Sequence, residues 1–208
     1  MRCQYCSEFE IGHLDFNGKN LGNRMLFETD NFVVFPTIGQ IVEGYSLIAS
    51  KLHYTGMGHI PLELHAELES VKNKVRKVLT DNYRNPLFFE HGPASRAKKG
   101  GCCIEHAHFH AVPVNLDIVP DLSKHFSHAK IDDYSALKDQ FDTGTPYFFL
   151  EDNSGQKHLF PVPEAVPSQY IRQIIARKIN MPERWDWRSF AGLEELVRTL
   201  ERLKGKFD

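Results

Sequence analysis

The chain has no apolar run approaching the ~20 residues that a membrane-spanning helix needs, so no span is expected. Its first residues, Met1-Arg2-Cys3-Gln4-Tyr5-Cys6, lack the apolar stretch of a secretory signal, which makes a cytoplasmic, reducing location the expectation. Cysteine is scarce: the four present sit in two close pairs, unlike a secreted disulfide framework. No charge sign dominates. With 25 Lys and Arg against 27 Asp and Glu, the net charge is −2, and the broad basic footprint of a nonspecific nucleic-acid binder is missing. Internal repeats and low-complexity segments are also absent. What remains, 41% hydrophobic and 25% charged over 208 residues, is enough for a real core in one domain or one domain plus an extension.

Periodicity divides the chain. Asn17-Gly18 reads as a turn within the polar stretch 7–23, and Met25–Phe35 is rich in strand formers. Val42-Glu43-Gly44 marks a turn before Tyr45–Ala49. Leu64, Leu68, Val71, Val75 and Val78 recur at helical spacing, which predicts an amphipathic helix over 62–82, ended by Asn85-Pro86. Leu87–Glu90 reads as a short buried strand. A strand from His106 to Leu116 follows. The β-β-α-β-β order predicts an α+β fold, an antiparallel sheet with a helix packed on it. Beyond 115 we expect a helix between Asp132 and Phe141. A hairpin of Tyr147–Glu151 and His158–Val162 turns at Asp152-Asn153-Ser154-Gly155, and helices over Ser168–Ile179 and Ser189–Leu203 follow it. This organisation predicts a domain over 1–115 and, over 116–208, an extension that packs on or next to it.

His106-Ala107-His108-Phe109-His110 places three histidines at period two. On a strand, all three imidazoles point one way, while Ala107 and Phe109 enter the opposite layer. They offer a base, a nucleophile and a metal ligand close together. Gly100-Gly101-Cys102-Cys103 precede them, and glycine there permits the backbone turn of an anion-binding nest. Arg96, Lys98 and Lys99 lead into the glycines; they read either as a phosphate-binding set or as a solvated loop. At the N-terminus, Cys3-Gln4-Tyr5-Cys6 has metal-ligand spacing.

The pattern His-φ-His-φ-His-φ-φ, fitted at every position of 106–112, resembles the histidine-triad family. Residues 24–60 also resemble it, with strands Arg24–Phe35 and Ile41–Ala49 around Pro36-Thr37-Ile38-Gly39-Gln40, then Lys51-Leu52-His53. The C-terminal ninety or so residues are similar to extensions in the larger, phosphorylase-like branch. The resemblance implies that His108 is the nucleophile toward the α-phosphate of a nucleotide, forming a covalent nucleotidyl-histidine. Elementary chemistry agrees, since an imidazole with an ordinary pKa near 6.5 is neutral and nucleophilic at pH 7. His108's other ring nitrogen should then donate to a backbone carbonyl. His110 would hold phosphate oxygens or the leaving group as a protonated donor. The phosphorylase branch carries glutamine at this third position, so His110 points toward hydrolysis.

Backbone N–H groups around Gly101, Cys102 and Cys103 would stabilise transition-state charge, with Lys99 beside the phosphates. Cys102 and Cys103 replace the family's Gln, Ser or Thr, and as thiols they are weak donors; a redox role for the pair is an alternative. Glu90-His91-Gly92 replaces the usual Asn-x-Gly. The nucleobase slot implied by the resemblance would draw on Phe32, Phe35, Pro36 and Ile38, with Thr37 near the ribose. Several relatives complete a zinc site with matching histidines, which implies structural Zn2+ held by Cys3, Cys6, His53 and His106, with His59 as a rival for His53. The function expected is hydrolysis of a dinucleoside polyphosphate or related nucleotide conjugate by a homodimer. The alternatives are a nucleotidyltransferase or phosphorylase, and a module that binds a nucleotide or nucleic-acid end with little turnover.

Overall fold

The computed structural model of the chain describes residues 3–94, 100–163 and 165–208. In chain order the elements are helix α1 (Gln4–Ile11), the hairpin β1 (Asp15–Phe16) and β2 (Lys19–Asn20), strands β3 (Phe27–Glu28), β4 (Phe32–Pro36) and β5 (Ser46–Ser50), and helix α2 (His65–Asn82). Strands β6 (Leu87–Gly92) and β7 (His108–Val112), helix α3 (Val119–Ser123), β8 (Ala129–Ile131) and α4 (Ser135–Asp142) follow. The chain closes with β9 (Tyr147–Glu151), β10 (Lys157–Pro161), α5 (Tyr170–Lys178) and α6 (Leu193–Leu203).

Eight of the described strands form one antiparallel sheet in the order β3-β4-β5-β7-β6-β9-β10-β8. The α+β expectation, an antiparallel sheet with a packed helix plus a C-terminal hairpin and helices, is met. The extension does more than pack nearby: β9 pairs with β6, Phe89 opposite Leu150, so the sheet runs on through it.

Strand alternation sorts the side chains into two buried layers. Phe109 and Ala111 of β7 join Ile48, Val34 and Phe88 beneath Leu68, Val71 and Val75 of α2. The opposite layer contains Phe35, Leu47, Phe89 and Leu150, covered by Tyr5 of α1 and by Ile171, Ile174 and Ile175 of α5. Both faces are therefore capped, and this is why the central strands read as continuous apolar runs. The α2 layer also encloses charge. Lys72, 1% exposed, pairs with Glu151 at 2.5 Å, and Arg76 reaches the same carboxylate at 2.6 Å, tying α2 to β9.

Some expected boundaries are corrected. Residues 7–23 are more than a turn: α1 occupies their start. Arg24–Phe35 is not one strand, because the chain reverses before Phe32 and β3 folds back on β4, Phe27 opposite Val34. Glu67 of α2 holds that reversal by accepting from the Asn31 backbone N–H (3.0 Å) and Nδ2 (2.7 Å). Ile41–Ala49 becomes strand only at Ser46. The Gln40 amide satisfies the carbonyls of Thr37 (2.9 Å) and Tyr45 (2.7 Å) and closes a loop there. The triad strand ends at Val112 rather than Leu116, and the last helix starts at Leu193 rather than Ser189. The 62–82 helix opens with a 3-10 turn before becoming α-helical at His65.

Candidate functional site

His108 and His110 share the face of β7 that looks toward α1 and α5, and both are 92% shielded, with 8% exposure each. His110 stacks on Phe89 with ring centroids 4.4 Å apart, and His108 meets it edge-on at 4.8 Å. The Nδ1–H of His108 donates to the backbone carbonyl of His106 at 2.6 Å, the carbonyl partner expected from the sequence. That bond leaves the lone pair on Nε2. Burial holds the His108 pKa below its ordinary value, so the ring is neutral at pH 7.

His110 differs from expectation. Its Nδ1 lies 2.7 Å from the hydroxyl of Tyr45, whose own pKa burial pushes up to about 12. Tyr45 therefore keeps its proton, and when it donates that proton to Nδ1 the His110 hydrogen sits on Nε2. Burial first, then His108, His91 and Arg172, hold the His110 pKa well below the usual value. It is thus a neutral donor, not the protonated one expected. Arg172, 2% exposed, lies over the Tyr45 ring at 5.1 Å.

A second cluster sits beside the triad. The ligand atoms of Cys3, Cys6, His53 and His106 all lie within 4.8 Å of one another. His106 Nδ1 is 3.3 Å from the Cys3 sulfur and 3.6 Å from that of Cys6, while His53 Nδ1 is 3.4 Å from the Cys6 sulfur. A tetrahedral zinc with two thiolates and two imidazoles sets its ligand atoms roughly 3.5 Å apart. The donor set therefore fits the ion. His106 Nε2–H donates to the Ser50 carbonyl at 2.6 Å, which fixes the tautomer and turns Nδ1 to the cysteines. Burial pushes the His106 pKa down to about 4, keeping the ring neutral and available as a ligand. His59 lies elsewhere, stacked on Phe141 at 5.0 Å. An ion held by these four residues would tie α1 to the sheet, beside the buried bidentate pair of Arg24 and Glu8 at 2.7 Å for both bonds.

The pocket over His108 and His110 is walled by Tyr5, Thr37, Ile38, His91, Gly101, Cys102 and Cys103, and by Gln169, Arg172 and Trp187 of the extension. Gly101 has φ +80, and a Cβ there would sit 3.0 Å from the Pro167 carbonyl oxygen. A side chain there would be strained by the left-handed φ and would crowd the extension. On the other rim, Gly39 donates to the Ala191 carbonyl at 2.6 Å and accepts from Arg172 at 2.8 Å. His91, buried on β6, accepts from the Ile171 N–H of α5 at 3.1 Å and faces His110 with centroids 6.0 Å apart. Burial, His108 and Arg172 push its pKa down to about 3, so it is neutral.

The structure brings Thr37, Gly101, Cys102 and Cys103 to the pocket with His108 and His110. Phe35 is not there: fully buried, it is covered by Tyr5 and Phe9 and by the Arg24 guanidinium at 4.4 Å. Phe32 alternates to the α2 side. Lys99, Arg96 and Lys98 lie outside the described residues. The Cys103 thiol reaches Ser168 Oγ at 2.7 Å, and Cys102 donates to the Ile104 carbonyl at 3.0 Å. Sequence reasoning missed Tyr45 as the partner of His110. Tyr45 gave only a faint signal, its position after the Gly44 turn and two residues before Leu47, which pairs with His110.

No protein-family model matches the chain. It is similar to CWF19-like protein 1 of Xenopus laevis, 25% identical over 196 residues that make up 86% of this chain and 35% of that protein. It is also similar to zinc finger CCCH domain-containing protein 59 of Oryza sativa subsp. japonica, 24% identical over 188 residues, 81% of this chain and 29% of that one. The chain thus spans about a third of the length of the curated relatives it matches. Among solved structures it is similar to a hypothetical histidine triad nucleotide-binding protein from Sulfolobus tokodaii, with a TM-score of 0.45 and 21% identity over 68% of this chain and 91% of the other. A Zn-bound histidine triad family protein from Mycobacterium smegmatis gives a TM-score of 0.43 and 17% identity over 69% and 93%.

Proposed function

We propose that this chain, whose fold is histidine-triad-like, binds a nucleotide over His108 and His110 and hydrolyses it at the α-phosphate. The observation that carries the reading is the bond from His108 Nδ1–H to the His106 carbonyl at 2.6 Å. It presents a neutral imidazole with a free Nε2 lone pair in a walled pocket, which is the state a nucleophile toward phosphorus must have.

In this reading His108 Nε2 attacks the α-phosphorus. The new N–P bond forms as the bond from phosphorus to the bridging oxygen breaks, and the leaving group departs with that electron pair. His110 Nε2–H donates to the departing or non-bridging oxygen, held in that orientation by Tyr45. Water then attacks the nucleotidyl-histidine from the vacated side, releasing the monophosphate and restoring His108. Gly101, Cys102 and Cys103 line the same pocket, and backbone N–H groups there would stabilise the extra negative charge. Cys3, Cys6, His53 and His106 would hold zinc, which supplies a closed structural cross-link and no open coordination position.

The test is a rapid quench of wild type and His108→Ala with diadenosine tetraphosphate and an adenosine phosphoramidate, followed by intact-mass analysis. Wild type should carry a transient adenylyl adduct, and the variant should lose it together with at least ~1,000-fold of the rate. Full activity in the variant overturns the nucleophile assignment. Release of a diphosphate only when inorganic phosphate is added identifies the phosphorylase alternative. Tight nucleotide binding with no turnover identifies the binding module.

A further inference from the structure

Gln169 stands at the entrance of α5 in the left-handed region, with φ 60 and ψ 34. Among the described residues the other non-glycine positions with positive φ are Asn17 and Asn180, a residue type that tolerates it; glutamine does not share that ease. Gln169 is held there by its N–H, which donates to the Gly101 carbonyl at 2.9 Å.

A residue in this position ordinarily turns its side-chain oxygen back to accept from the first turn of its helix. Gln169 makes no such cap. His91 Nε2 accepts the Ile171 N–H in its place. The Gln169 amide turns instead to Asp186, donating from Nε2 to Oδ1 at 3.0 Å. Burial opposes ionisation of Asp186, but hydrogen bonds from Arg188 and Gln169 hold its carboxyl below the ordinary range. An ionised carboxylate only accepts, so the amide orientation is fixed and Oε1 faces away from Asp186.

That oxygen is buried and has no hydrogen-bond partner among the described residues, in a residue only 3% exposed that lines the pocket with His108 and His110. A buried acceptor without a donor is costly and is rare in native proteins. Phosphate oxygens cannot satisfy it, since they too are acceptors. What fits is an N–H or O–H group, and the nucleoside half of a nucleotide is where such groups lie. Trp187, half-buried in the same wall, offers an apolar face beside it on which a base can stack.

We propose that Gln169 Oε1 is a recognition subsite for a hydrogen-bond donor on the nucleoside part of the ligand, so that the extension reads the nucleoside while the triad handles the phosphate. This rests on the nucleotide reading above. The test is calorimetric titration of wild type and Gln169→Met with adenosine monophosphate, inosine monophosphate, 2′,3′-dideoxyadenosine monophosphate and inorganic pyrophosphate. Methionine keeps the length and removes the acceptor. Gln169→Met should weaken adenosine monophosphate about five- to tenfold and leave pyrophosphate unchanged. If the donor is the base amine, wild type loses the same factor on inosine monophosphate; if it is a ribose hydroxyl, wild type loses it on the dideoxy analogue.

Unchanged adenosine monophosphate affinity in Gln169→Met overturns the subsite, as does an equal loss for pyrophosphate. If that variant does not fold, Asp186→Asn carries the test, because it frees the amide to flip and should weaken adenosine monophosphate alone. Wild type that binds neither nucleotide nor pyrophosphate overturns the nucleotide reading and the subsite together.

Discussion

The Tyr45 hydroxyl lies 2.7 Å from Nδ1 of His110, on the side of that ring away from the proton His110 can offer a ligand. The phenol stays protonated because burial pushes its pKa up to about 12, and by donating to Nδ1 it would place the His110 hydrogen on Nε2. Tyr45→Phe removes the bond and keeps the packing under Arg172. Turnover should fall about 10- to 100-fold with little change in KM. Steady-state kinetics checks the split, and the nitrogen shifts of His110 in NMR should move from one tautomer toward a mixture.

The cluster of Cys3, Cys6, His53 and His106 should hold about one zinc per chain, measured by elemental analysis. Cys6→Ser should lose it, whereas Cys103→Ser should keep it. Chelation should lower the melting temperature by roughly 10 °C and open α1 to proteolysis, because a structural zinc contributes several kcal/mol of folding free energy.

Glu90 faces away from the pocket, its carboxylate taking the Met57 N–H at 2.7 Å and the Tyr147 hydroxyl at 2.8 Å. Burial raises its pKa from the usual 4.5 to about 7, against the pull of those two bonds. The folded state thus holds a proton that the unfolded state releases, and stability falls as pH rises from about 4.5 to about 7. The contribution of this one group approaches ~3 kcal/mol above that window. Urea denaturation across pH 4–8 should show the decline in wild type and a flatter profile in Glu90→Gln.

Gly101→Ala sets a Cβ 3.0 Å from the Pro167 oxygen and 3.3 Å from Val166 Cγ2, at a backbone with φ +80. The substitution should cost about 1–3 kcal/mol of stability. It should also weaken nucleotide binding, because the turn and the extension meet there. Thermal melting and titration with adenosine monophosphate measure the two effects.

The legibility of this chain follows the range of the interactions involved. Alternation along 106–112 was sufficient to place His108 and His110 on one face and Phe109 on the other, since side-chain direction in a strand is a local property. The amphipathic spacing of Leu68, Val71 and Val75 located α2 for the same reason. Phe35 misled because alternation gives the face but not the neighbour. It lies on the triad side, yet α1 covers it, and α1 is held there by Arg24 and the Cys3–Cys6 turn. The reversal between β3 and β4 was hidden because Glu67, more than thirty residues away, holds it.

By itself, then, the sequence determined the α+β architecture and the period-two triad, both set by spacing and side-chain chemistry, whereas the set of Cys3, Cys6, His53 and His106 came from the family resemblance. Tertiary structure alone decided how deeply His110 is buried, that Tyr45 meets its Nδ1, and that the turn at Gln169 is held by Gly101. Those outcomes depend on burial and on contacts between segments more than sixty residues apart, such as Gln169 N–H to the Gly101 carbonyl and Tyr45 to His110. Burial and long-range hydrogen bonds arise only once the chain has closed on itself.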